Sequence, residues 1–427
     1  MTRPNCKCLH RVTAVCQALE RGLVQGYPDE GGATEAPDGM ASGEFPAGLS
    51  PQHSPIAQLS SPAANSNGAG GGNVTAVQLA RDARPEGVYG ALDLGTNNCR
   101  LLLARPSRRG FRVVDAFSRI IRLGEGVSQT GRLSEPAMAR TIDALKVCAA
   151  KLGRAKVRRS RLVATEACRV AENGGEFLAR VRDKLGLEIE ILTREVEARL
   201  AVSGSAALID PTCDYVLVFD IGGGSSELIL LDLTRRSRQR DRRFAGRLDA
   251  QHCMVAWTSL PIGVVTLAER FGGRHVAPQD FEAMVAETAR LLRDFEAQHS
   301  VAERTAGRRM HMLGTSGTVT TVAGIQLGLT RYDRNRVDGC WLSVGDVRGV
   351  TTDLLGRSYE QRIAEPCIGR DRADLVLAGC AILEAILRMW PCERLRVADR
   401  GLREGILTTL MVEDGVLLPV RRRRRPA

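Results

Sequence analysis

Two stretches of the chain repeat one pattern: LDLGTNNCRLLL, from Leu92 to Leu103, and FDIGGGSSELIL, from Phe219 to Leu230. Each reads as an apolar residue, Asp, an apolar residue, Gly, a small polar turn and a second apolar run. The two aspartates, Asp93 and Asp220, stand about 127 residues apart. A single strand, turn and strand of this kind is an ordinary hairpin. Two copies, each opening its own series of strands and helices, are much harder to explain by turn chemistry and mark a weak internal symmetry.

The sequence after each copy alternates between the two regular structures. Behind the first, SEPAMARTIDALKVCAAKLGR carries a capping Ser134, with Pro136 just inside and apolar residues at helical spacing. A strand RLVATEA, a helix EFLARVRDKLGL, a strand EIEILT and a helix EVEARLAVSGSAAL follow. Behind the second come the strands SSELILLDL and CMVAWTSLPIG, the helix PQDFEAMVAETARLLRDFEAQH, and the strand, glycine turn and helix of RMHMLGTSGTVTTVAGIQLG. This alternation predicts an α/β fold. The chain has 427 residues, 44% of them hydrophobic, enough for two or three cores.

Residues 1–86 are read as a disordered, low-complexity extension, because their Gly, Pro, Ala, Ser and Asn cannot bury enough apolar area to offset chain entropy. Residues 87–197 are expected to form the first domain, completed by a terminal helix over 401–415, and 198–400 the second. Residues 416–427, ending in VRRRRRPA, read as a solvated basic tail.

Lys and Arg outnumber Asp and Glu by 60 to 49, a net charge of +11 that favours an acidic partner without choosing its class. An aromatic content of 4% speaks against base-stacking platforms, so no specific nucleic-acid partner is expected. The 12 Cys show no CxxC pair and the 6 His no HExxH, which argues against a disulfide framework, a zinc site and the His-dependent metallohydrolases. With no long apolar run and no secretory leader, the expected location is cytoplasmic.

The glycines at Gly95, Gly222, Gly223 and Gly224 let backbone N–H groups approach an anion, and Thr96, Asn97, Asn98, Ser225 and Ser226 add neutral hydrogen-bonding groups. Asp93 and Asp220 would repel a phosphate in the same loops, which points to a divalent cation between carboxylate and phosphate, with Glu227 able to serve it. A third glycine turn, Gly314 to Thr318, offers Thr315, Ser316, Gly317 and Thr318 as further donors, although alone it reads as an ordinary strand-to-helix turn.

Paired Asp-x-Gly hairpins in two facing domains resemble the actin-like (ribonuclease H-like) superfamily, with a cleft between the domains. More narrowly, the chain resembles the exopolyphosphatase and guanosine pentaphosphate phosphohydrolase (Ppx/GppA) family, in its short two-domain form. That resemblance rests on LDLGTNNCRLLL, TEACRVAENGGEFL, EIEILTREVEARLAVSG, FDIGGGSSELIL, SLPIGVVTLAERF, GTSGTVTTVAG and ADRGLREGIL, in that order. It implies a Mg2+-dependent hydrolase that removes the terminal phosphate of inorganic polyphosphate, the 5'-phosphate of guanosine pentaphosphate, or both. It implies Glu197 as the catalytic glutamate that activates water, Arg169 as a phosphate-binding arginine with Arg100 a second, and Asp93, Asp220 and Glu227 at the magnesium site. On spacing alone Glu197 reads as a solvated helix residue, and only the match to the family reverses that. Two rival readings stand beside this one: an ATP-dependent small-molecule kinase of the same superfamily, and a non-catalytic alarmone or nucleotide sensor. The sequence does not fix the oligomeric state, although dimers are common among soluble enzymes and a homodimer is one assembly open to it.

Overall fold

A computed structural model of the chain describes residues 87–107, 110–235 and 250–417. The extension over 1–86 and the arginine run near the C-terminus lie outside the described residues.

The first sheet has the strand order β3-β2-β1-β4-β5, with β1 Val88–Leu94, β2 Asn98–Ser107, β3 Gly110–Ile120, β4 Val157–Ala164 and β5 Glu190–Ile191. The strands β1, β2 and β3 form an antiparallel meander, and β4 joins β1 in parallel. In the second sheet, β6 Tyr215–Ile221, β7 Ser226–Asp232, β8 Met254–Leu260, β9 Met310–Thr315 and β11 Arg394–Ala398 take the order β8-β7-β6-β9-β11. This is the first sheet's plan repeated, with β10 Trp341–Ser343 added antiparallel at the edge. The α/β architecture expected from the repeated motif is therefore observed, and the symmetry extends from twelve residues to whole sheets.

Ser134 caps the helix α1 Glu135–Arg154 by accepting from the Ala137 N–H, as its sequence position predicts. Other boundaries differ from the reading. The expected strand RLVATEA stops at Ala164, because a short helix, α2 Glu166–Val170, opens there; EIEILT contributes only Glu190 and Ile191 as strand. β5 pairs with only the last two residues of β4, Val163 and Ala164, and the chain leaves the sheet after them.

Period-two alternation explains where the aspartates point. In β1, Val88, Leu92 and Leu94 enter one core cluster while Tyr89 and Ala91 enter another, on the face that continues to Asp93. In β6, Leu217, Phe219 and Ile221 face one cluster and Val216 and Val218 the other, on the face that continues to Asp220. Two helices cover these Asp-bearing faces: α3 Arg194–Ser205, capped by Thr193, and α4 Leu402–Glu413. Ile406, Leu407, Leu410 and Met411 of α4 pack with Tyr89 and Ala91, while α3 places Leu200 there and Ala198 and Val202 against Val216 and Val218. The two helices cross at backbone contact. A Cβ on Gly405 would lie 2.1 Å from the Leu200 carbonyl oxygen, and one on Gly204 would lie 1.8 Å from that of Gly401. Glu197, in the first turn of α3, thus stands where both Asp-bearing faces converge.

Among the described residues, no helix is long and apolar enough to cross a membrane.

Candidate active site

The two hairpin turns are built alike. The Gly95 N–H donates to the Asn98 carbonyl at 2.9 Å, and the Gly222 N–H to the Ser225 carbonyl at 2.9 Å. None of Gly95, Gly222, Gly223 and Gly224 has a positive φ, so backbone conformation does not require glycine there. Close approach does: a Cβ on Gly223 would lie 2.9 Å from Thr96 Cβ, and one on Gly224 would lie 2.9 Å from Thr96 Oγ1. The bare turn of the second hairpin is the surface on which the first hairpin's turn rests.

Between and beside these turns lies a cavity of about 140 Å³. The first hairpin lines it with Gly95, Thr96, Asn97, Asn98 and Arg100, and the second with Gly222, Gly223, Gly224 and Ser225. The third turn adds Ser316, Gly317 and Thr318, and the acids Asp93, Asp220, Glu227, Glu166 and Glu197 complete the wall. Three residues singled out from the sequence do not line it. The Ser226 hydroxyl donates to the Ile262 carbonyl at 2.8 Å, Thr315 faces an adjoining cavity of about 500 Å³, and Arg169 lies behind the acids.

Arg169 is fully engaged by the protein. Its guanidinium donates to Glu166 at 2.8 Å, to Glu197 at 2.9 Å and to the Leu192 carbonyl. Glu166 is in turn held by Arg194 at 2.8 Å. Sequence reasoning passed over Glu166 and Arg194 although both sit inside quoted motifs, because an acid beside a phosphate gives no signal until its partner is seen.

Ser316 carries two marks of a binding residue. It holds φ +114, a conformation strained for any residue with a side chain, and its buried hydroxyl has no hydrogen-bond partner. It precedes the helix α5 Gly317–Gln326, whose first backbone N–H groups are free for an anion. The side-chain oxygens of Asn97 and Asn98 are likewise buried and unpartnered.

Four acids share this poorly hydrated space and disfavour each other's ionisation. Burial pushes the Asp93 carboxyl up, opposed by Arg100 and Arg403. Burial also pushes Asp220 up, opposed by a Thr315 hydrogen bond and Arg100, with the Asp93 charge adding to the rise. Glu227 is raised to about 7 by burial and then by Asp220, against hydroxyl hydrogen bonds from Ser225 and Ser259. Glu197 is raised well above the usual range, by burial first and the Glu227 charge second; Arg169 opposes the shift.

No group of three or more His, Cys, Asp and Glu is gathered as a ready-made metal cage among the described residues. Mg2+ seldom uses one: it is commonly held by one or two carboxylates, waters and substrate phosphates. Asp93 and Asp220, two hard-oxygen groups that burial and mutual repulsion leave short of positive charge, fit that chemistry. One oxygen of Glu227 already accepts from Ser225 and Ser259, each at 2.8 Å.

The adjoining cavity shares Asp93, Arg100, Asp220 and Arg372 with the first and adds Arg403. Neither the Arg372 nor the Arg403 guanidinium makes a hydrogen bond or ion pair among the described residues. By contrast Arg334 is paired with Glu404 at 2.8 Å and Asp399 at 3.4 Å.

Known proteins are similar to the chain in sequence and fold. Residues 103–413 match the model of the Ppx/GppA phosphatase family. Exopolyphosphatase 2 of Mycobacterium tuberculosis is 30% identical over 335 residues, covering 75% of this chain and 97% of that protein. A guanosine-5'-triphosphate,3'-diphosphate pyrophosphatase of Photobacterium profundum is 28% identical over 337 residues, 76% of this chain but 59% of its own length. The crystal structure of the Aquifex aeolicus member of the family superposes with a TM-score of 0.62 at 28% identity, covering 77% of this chain and 99% of that one. With the repeated sheets and the acid-lined cleft already in place, the chain belongs to the Ppx/GppA phosphatase family.

Proposed function

We propose that the protein hydrolyses the terminal phosphoanhydride bond of inorganic polyphosphate, of guanosine pentaphosphate, or of both, in the presence of Mg2+. The names of the two relatives point to these substrates. The observation that carries the reading is the placement of Glu197, desolvated and oriented by Arg169 at 2.9 Å, on the wall of a cleft whose other walls are three turns.

In this reading the terminal phosphate sits against the Ser316 hydroxyl, which has no partner within the protein, and the N-terminus of α5, with Asn97 and Asn98 alongside. Glu197 accepts a proton from water as the water oxygen bonds to phosphorus, while the bond from phosphorus to the bridging oxygen breaks and the shortened chain leaves with that oxygen. The raised affinity of Glu197 for protons suits this task, and the bond from Arg169 fixes which carboxylate oxygen is free. Arg100 and Arg372, which line both cavities, face the departing anion. Mg2+ held by Asp93 and Asp220, with Glu227 opposite Asp220, would neutralise phosphoryl oxygens and supply electrostatic stabilisation.

The test is phosphate release from long polyphosphate and from guanosine pentaphosphate, with and without Mg2+, by the parent and Glu197→Gln. Release by the parent without any added acceptor is expected, with a loss of about 10²- to 10⁴-fold in Glu197→Gln at retained binding. Undiminished turnover by Glu197→Gln would remove Glu197 from its role, and release that requires an acceptor would favour phosphoryl transfer.

A further inference from the structure

Opposite the crossing of α3 and α4, the cleft is bridged by side chains from both halves. Arg122, just after β3, makes a forked pair with Asp374: Nη1 to Oδ2 at 2.8 Å and Nη2 to Oδ1 at 2.9 Å, with a further bond to the Asp371 carbonyl at 3.2 Å. Beside it, Glu269 accepts from the Gly126 N–H at 2.7 Å and from the Ser128 hydroxyl at 2.5 Å. These contacts join segments more than a hundred residues apart.

Both ends of the Arg122–Asp374 pair are tied to the candidate site. On one side, the backbone N–H groups of Ile121 and Arg122 donate to the Asn97 carbonyl, at 2.9 and 3.1 Å, which fixes them to the first hairpin's turn. Arg122 holds φ +46, uncommon for a residue with a long side chain, and this conformation is part of what directs its guanidinium across the cleft. On the other side, Asp374 is two residues from Arg372, whose Nη1 would lie 3.9 Å from a Cβ on Gly317, over the third turn. Between them, the Ala373 carbonyl accepts from buried Arg362 at 3.1 Å. Asn97, Arg122, Asp374 and Arg372 thus form one connected path from the first phosphate-facing turn to the third.

We propose that Arg122 and Asp374 are positioning residues: their ion pair clasps the two halves together and, in doing so, sets Arg372 over the anion site. The proposal rests on the functional reading above for Arg372. The pair is partly buried, with its side chains 31% and 19% exposed, so it is better shielded from solvent than most surface ion pairs. Its forked geometry also restricts orientation, which a single point contact would not. The carboxylate is needed less for stability than for direction, because Arg362 already anchors the segment to its own half.

A double-mutant cycle tests this. Arg122→Gln, Arg372→Gln and the double variant are compared with the parent for kcat/KM on tripolyphosphate, and Asp374→Asn repeats the cycle from the other side. The same cycle is read on the Kd of tripolyphosphate, by calorimetry, in the Glu197→Gln background. If the clasp acts through Arg372, each single change costs about tenfold and the clasp change costs less than twofold once Arg372 is gone. Multiplying losses, or no loss on breaking the clasp, would overturn the proposal. Arg105→Gln, which removes an exposed charge far from the cleft, is expected to change neither quantity; an equal loss there would reduce the effect to net charge. A parent that turns over no phosphoanhydride sinks the functional reading, while the binding cycle still decides the clasp. Absence of tripolyphosphate binding in all variants sinks both.

Discussion

Arg100 occupies in the first hairpin the register position that Glu227 occupies in the second: Asp93 pairs with Arg100 across β1 and β2, and Asp220 with Glu227 across β6 and β7. The backbone repeats, but the charge is inverted. One half therefore brings a cation to the shared cleft and the other an additional acid.

The first prediction follows from that inversion and concerns pH. Glu197 must be deprotonated to accept a proton, so activity falls as pH drops through its raised pKa. Arg169 is a lowering influence on Glu197. Arg169→Gln is therefore expected to move the acid limb of the kcat/KM profile to higher pH, besides reducing kcat near neutrality by tenfold or more. A limb that stays in place would separate Arg169 from the base.

Ser316 sets function against stability. Replacing it by Gly removes the strain at φ +114 and a hydroxyl with no partner, and should stabilise the fold by about 1 kcal/mol. The same change should raise KM for polyphosphate about tenfold, as one anion contact is lost. Thermal melting and steady-state kinetics on one preparation check both halves of the expectation.

The helix crossing tolerates no side chain. Gly405→Ala places a methyl 2.1 Å from the Leu200 carbonyl, and the backbone must separate to admit it. A loss of about 1–3 kcal/mol in denaturant unfolding is expected. Gly349→Ala, a helical position with no neighbour within 4 Å of the added Cβ, is the matched control and should not destabilise the protein.

Removal of Mg2+ by chelation should lower phosphate release at least a hundredfold. Asp220→Asn should raise the Mg2+ concentration needed for half-maximal rate. Added Mg2+ should also raise the melting temperature of the parent more than that of Asp220→Asn, because the ion relieves repulsion among Asp93, Asp220 and Glu227 fully only where all three charges remain. Equal shifts in the two proteins would place the ion elsewhere.

The repeated sheets were legible in the sequence because their signals are local. An apolar run, an Asp-x-Gly turn and a capping Ser134 each act within a few residues, and the order of motifs carried the family. The boundaries of RLVATEA and EIEILT were not, because edge pairing depends on a neighbouring strand. Of the candidate site, Asp93, Asp220, Glu227, Glu197 and most residues of the three turns line one cavity.

Partnership is where residue type alone stops short. Arg169 and Arg372 are the same side chain, yet one is spent on Glu166, Glu197 and the Leu192 carbonyl while the other is left facing a cavity. The glycines of GGGSS read as an anion cradle, and two of them, Gly223 and Gly224, also prove to be clearance for Thr96 of the opposite half. Alternation along β1 and β6 is enough to put both aspartates on one kind of face. Which charges are neutralised there, and which remain free for a ligand, depends on distances between segments far apart in the chain, and these exist only once the two sheets have closed on α3 and α4.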